Sequence, residues 1–157
     1  MKIFIKISLA AIIITFAATA FAADSHWFDM ENCNMCKPFL KHDQLMENIA
    51  WESYPLSNGV IMVTTVNEKF LNVYRHARSE MKIISEQLMA GNDMQLCGSC
   101  QSLSGLFPKG VKAESIETSQ GNIHIFTADK ENVVSALHEW NKRNAEEMKK
   151  MEEMKAD

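Results

Sequence analysis

Displaced by 62 residues, the sequence falls on itself: IAWESYPLSNGVIMVTTVN lies over VKAESIETSQGNIHIFTAD. Glu52 meets Glu114, Ser53 meets Ser115, Ser57 meets Ser119 and Gly59 meets Gly121. Ile61 then meets Ile123, Thr65 meets Thr127 and, further on, His76 meets His138. Ordinary residue frequencies supply only roughly two identities over such a window. A repeat of this length predicts one supersecondary unit used twice, about residues 33–92 and again about 97–157.

Each unit reads as a CxxC, a helix, two strands and a second helix. In the first, Pro38 suits an opening helical turn, where its missing N–H costs nothing. Phe39, Leu40, Met46 and Ile49 would make that helix's apolar face. WESYPL and VIMVTTV are β-rich runs joined by Ser57-Asn58-Gly59, where Asn-Gly offers the positive φ of a tight hairpin. Thr65 and Glu68 have capping-box spacing. Phe70, Val73, Tyr74, Ala77, Met81, Ile84 and Leu88 then recur at helical spacing, and Gly91-Asn92 stops the helix.

The second copy is degenerate. Gly105 and Pro108 shorten its first helix, and VKAESIE and NIHIFTA flank Ser119-Gln120-Gly121. Alternation in NIHIF predicts Ile123 and Ile125 toward the core and His124 outward. Asp129 is positioned to cap a last helix with a Val133, Ala136, Leu137, Trp140 stripe, whose charged end at 145–157 runs into solvent. The expectation is an α+β fold: an antiparallel sheet of about four strands with helices packed on one side, ferredoxin-like in outline.

The beginning of the chain reads differently. Lys2 and Lys6 precede an uncharged apolar run, and Ala20-Phe21-Ala22 is a small-x-small cleavage signal. Residues 1–22 therefore read as a signal peptide, residues 23–157 as a single duplicated domain, and the protein as periplasmic or secreted. Removing the two lysines takes the net charge from −4 to −6. With no basic stripe, the chain is expected to bind no nucleic acid. With no second apolar run, it is expected to have no membrane association after signal cleavage.

All four cysteines lie in two CxxC motifs, Cys33/Cys36 and Cys97/Cys100. If the halves are related by a two-fold axis, the pairs either meet at it or lie apart. Three chemistries are open. Structural disulfides, stapling a non-catalytic interaction module, suit an oxidising compartment, and bridges between units would close loops of about 60 residues and stabilise by roughly 4 kcal/mol. Metal binding suits two converging CxxC turns, with zinc or, given soft sulfur ligands, copper. His76 and His138 extend that ligand set, one for each pair. A thiol–disulfide role suits a CxxC at a helix start, which lowers a thiol's pKa. Against a thioredoxin-like arrangement, DSHWFDMEN before Cys33 is no core strand.

Other features have plainer readings. Met30 and Met35 flank the first pair, while Met148, Met151 and Met154 form an amphipathic stripe. Glu52 and Glu114 read as solvent-facing strand residues, and Trp27 and Phe28 as either a cover over the first CxxC or a loose tail. No Gly-rich phosphate loop, HExxH or nucleophile elbow is present. The chain is thus expected to be non-enzymatic, to partner a metal ion or a thiol-bearing protein, and to offer its C-terminal helix for oligomer formation.

Overall fold

A computed structural model describes residues 27–156. The signal segment and cleavage site lie outside the described residues, as does the Met154 side chain. The elements run α1 (Lys37–Leu40), β1 (Ile49–Leu56), β2 (Gly59–Val66), α2 (Leu71–Met89), α3 (Gly98–Ser104), β3 (Lys112–Thr118), β4 (Gly121–Thr127) and α4 (Glu131–Ala156). The strands form one antiparallel sheet in the order β1-β2-β4-β3, an α+β architecture. Each hairpin is followed by a long helix. A ferredoxin-like chain interleaves its elements as βαββαβ, an order this chain does not follow.

Side-chain alternation divides the sheet into unlike faces. Val60, Met62 and Thr64 of β2 stand opposite Phe126, His124 and Asn122 of β4. The Tyr74 hydroxyl of α2 donates to Asn122 Oδ1. The Phe126 ring meets Trp140 of α4 edge to face at 5.8 Å. Both long helices therefore cover this face. Ile123 and Ile125 lie on the other, with Ile61 and Val63 beside them. The expected orientation of NIHIF is thus reversed. His124 points inward and stacks on Phe126, with ring centroids 6.1 Å apart. Burial, with the Arg78 charge nearby, lowers its pKa to about 4, so the ring is neutral and packs as an aromatic.

Two cores result. One joins Val60, Phe126, Val133, Leu137 and Trp140 with Leu106 and Trp27. The other joins Leu45, Val66, Tyr74 and Ala77 under α2. Leu137, Val60 and Leu45 are fully buried, each contributing roughly 2 kcal/mol. Trp27 is a core residue and no loose tail: it is 8% exposed, and the Arg143 guanidinium lies 3.9 Å above its ring.

Several local signals act through other residues than expected. The first helix is only four residues long, and Leu45, not Met46, enters the core behind it. Asn67, not Thr65, closes the turn into α2, accepting from the Lys69 N–H; Thr65 stays in β2. Asp129 receives Lys112 Nζ at 2.7 Å, and the Lys130 carbonyl accepts from the Val133 and Val134 N–H groups of α4. Gly91, at φ +88°, does end α2. Gly59 has a different use from the one its Asn-Gly context suggests. A Cβ there would stand 1.9 Å from the Phe126 carbonyl oxygen, and one on Gly121 would stand 2.0 Å from that of Thr64. The two glycines let the central strands approach each other.

Candidate metal centre

The two CxxC motifs sit on tight turns at the starts of short helices. In the first, the Cys33 carbonyl accepts from the N–H groups of Cys36 and Lys37, both at 3.0 Å. Pro38 follows in the opening turn of α1, where an N–H would have no partner. In the second, Cys97 precedes α3 in extended conformation, and its carbonyl accepts from the Gln101 N–H at 2.9 Å.

Backbone bonds fasten the turns to the rest of the chain. Asn34, inside the first motif, donates its N–H to the Gln95 carbonyl at 2.9 Å, beside the second motif. Ser99, inside the second, donates its N–H to the Trp27 carbonyl at 3.1 Å. A buried side-chain network completes the anchorage. Asn144 Oδ1 accepts from Trp27 Nε1 at 2.7 Å and from Ser99 Oγ at 2.8 Å. Trp140 Nε1 donates to the Ser99 carbonyl at 3.1 Å. The second CxxC is thus held against α4.

The consequence is that all four sulfurs converge: they lie within 4.8 Å of one another. Cys36 and Cys100 approach to 3.9 Å across the two halves. A tetrahedral ion with metal–sulfur bonds of about 2.3 Å needs sulfur separations of about 3.8 Å. Shifts of an ångström or less would close the cage. All four cysteines are free thiols. Cys33 and Cys97 are buried, at 0% and 2% exposure, whereas Cys36 and Cys100 are half-buried.

The four thiols are unequal, and Cys36 and Cys100 lie within hydrogen-bond reach of each other. The neighbouring thiols, Cys100 first, hold the Cys33 pKa far below the ordinary thiol value. Cys100 likewise brings Cys97 to about 7. The Cys33, Cys36 and Cys97 sulfurs beside it push the Cys100 thiol up, and burial adds to this. Cys100 lowers the Cys36 pKa, but Cys33, Cys97 and burial outweigh this and raise it. Cys33 and Cys97 therefore carry the thiolate character that metal ligation requires. Their donor set is soft and suits zinc or monovalent copper.

The histidines stand elsewhere. His76 is exposed on α2, with Nε2 3.3 Å from Glu80 Oε1. His138 is half-buried, its Nε2 donating to the carbonyls of Leu56 and Gly59 at 3.0 and 3.1 Å. Neither belongs to the group of converging sulfurs. Glu52 and Glu114 are exposed strand residues. The anchoring residues Ser99 and Asn144 had no signal in the sequence beyond Ser99's place inside a CxxC. Among the described residues no helix is long and apolar enough to cross a membrane. No family model, curated protein or solved structure matches this chain.

Proposed function

We propose that the protein is an exported, non-enzymatic domain that binds or handles a soft metal ion, zinc or copper, through Cys33, Cys36, Cys97 and Cys100. The observation that carries this reading is the convergence of four free thiols from two turns far apart in the chain. Four thiolates around a divalent ion complete a tetrahedral set, and binding would contribute directly to folding. The half-buried Cys36 and Cys100 give solvent, or a thiol-bearing partner protein, a route to the ion by ligand exchange. Export rests on the N-terminal signal features, and the acidic chain without a basic stripe favours no nucleic-acid partner.

The repeated unit belongs to the same proposal. Under the 62-residue displacement, Leu56↔Gly59 becomes Thr118↔Gly121, so the two hairpin registers correspond. The β2–β4 register pairs Met62 with His124, itself a displaced pair, as expected for a pseudo-two-fold axis passing between them. Such an axis supports a common origin for the two CxxC turns, although these are displaced by 64 residues.

A non-catalytic interaction module stapled by structural disulfides is the second reading, favoured by the 3.9 Å approach of Cys36 to Cys100 across the two motifs. Cobalt(II) titration of the reduced chain separates the two. Metal binding predicts an intense sulfur-to-cobalt charge-transfer band that saturates at one ion and disappears with added zinc. A reduced chain that develops no such band contradicts the metal reading.

A further inference from the structure

We infer that the outward face of the sheet binds the same face of a second copy of this chain, giving a two-fold dimer. This face lies away from both long helices. The strand registers set eight of its side chains in two rows across the sheet. One row runs Glu52, Val63, Ile123, Ile116, and the next runs Tyr54, Ile61, Ile125, Glu114. The six that are not glutamates pack against neither core. On the central strands, the four β-branched side chains are half-buried by their sheet neighbours. At the edges, Tyr54 is 52% exposed and Ile116 44%. A contiguous apolar patch of this kind marks an association surface.

The extent and the charges of the face select a second copy as its partner. The strands are seven or eight residues long. At a strand spacing of about 4.8 Å and a rise of about 3.4 Å per residue, four of them make a face of about 500 Å². Two such faces cover about 1,000 Å² before side-chain relief is added, which is where specific interfaces begin. Glu52 and Glu114 stand at opposite corners of the two rows, and Tyr54 and Ile116 hold the other two corners. A two-fold axis lying between two facing sheets, along the strands or across them, exchanges these corners. Every glutamate then meets a Tyr54 or an Ile116, and never a glutamate. The Tyr54 hydroxyl donates to the carboxylate it meets, and the β-branched side chains interdigitate at the centre, as packed sheets do at about 10 Å.

The test is sedimentation equilibrium of the reduced mature chain over a range of concentrations. The parent's mass is expected to rise from one chain to two. Tyr54→Glu combined with Ile116→Glu changes only exposed edge-strand positions and sets acid against acid. It is expected to weaken the dimer by more than about 100-fold, because like charges juxtaposed across an interface oppose binding strongly. Adding Glu52→Lys and Glu114→Lys to that chain makes the facing charges opposite and is expected to restore the dimer. Met151→Lys, near the C-terminal end of α4, is expected to associate like the parent. The inference is overturned if the parent stays a single chain at every concentration, or if the acidic variant associates as tightly as the parent. It is equally overturned if Met151→Lys abolishes the dimer, which would place the contact on α4. No cysteine enters the readout, so failure of the thiolate site leaves this result distinct.

Discussion

Cys36 Sγ stands 3.9 Å from Cys100 Sγ, although 64 residues separate them in the chain. As residues they are half-buried, whereas Cys33 and Cys97 are buried. In the metal-free protein, one equivalent of diamide, which takes up the two electrons and two protons, should couple this pair first. Peptide mapping should find Cys36 joined to Cys100 ahead of bridges within either CxxC. The loop closed is long, so unfolding free energy should rise by up to about 4 kcal/mol. Bridges mapped mainly within each CxxC would mean that local spacing, not the folded contact, directs oxidation.

Asn144→Ala tests whether the second CxxC depends on its distant anchor. The change leaves Trp27 Nε1 and Ser99 Oγ without their buried acceptor. A buried donor without a partner costs about 1–3 kcal/mol. Urea unfolding should show a loss of about 2–4 kcal/mol. Metal affinity should fall by roughly 10- to 100-fold, as it does when an outer support of a ligand is removed. An unchanged affinity would detach the anchor from the site.

The hairpins, the long helices and the two CxxC turns are legible in the sequence because each is written locally, in alternation, helical spacing and CxxC, whereas the meeting of the two turns is not. The inward-facing side of β4 is not. Asn122, His124 and Phe126 read as less apolar than Ile123 and Ile125. They nevertheless face the helices, because Tyr74 of α2 supplies a hydroxyl to Asn122 and Trp140 of α4 packs on Phe126. Those partners lie far along the chain, as does Asn144, 117 residues from Trp27. No local pattern encodes such pairings.

His124 makes stability depend on pH in a stated direction. Its folded pKa of about 4 lies below the ordinary value of 6.5, so the unfolded chain binds the proton more readily between these limits. The stabilisation is fully present above about pH 6.5 and is lost as pH falls toward about 4. One pKa unit corresponds to about 1.4 kcal/mol, so the contribution is at most about 3 kcal/mol. Urea midpoints at pH 7 and pH 4.5 should diverge less in His124→Gln than in the parent. Equal divergence would show that His124 titrates normally.

Gly59→Ala places a methyl group against the Phe126 carbonyl and should cost about 3 kcal/mol or more. At Gly105 the nearest atom, the Gln101 carbonyl oxygen, is an ordinary contact 3.4 Å from a Cβ. Its helical φ of −67° also suits alanine. Gly105→Ala should therefore be neutral or stabilising by up to about 1 kcal/mol. Thermal unfolding of the two variants side by side measures the contrast, and similar midpoints would remove the close-approach explanation.

The most direct measurement is the zinc or copper content of the parent chain, compared with the same protein carrying Cys36→Ser and Cys100→Ser. Native mass spectrometry after reduction and metal loading gives the counts. The account predicts one tightly held ion in the first protein and none in the second, with all four thiols unbridged in the loaded form. A metal-free parent chain, or an ion retained equally after both serine substitutions, would contradict a shared four-sulfur centre.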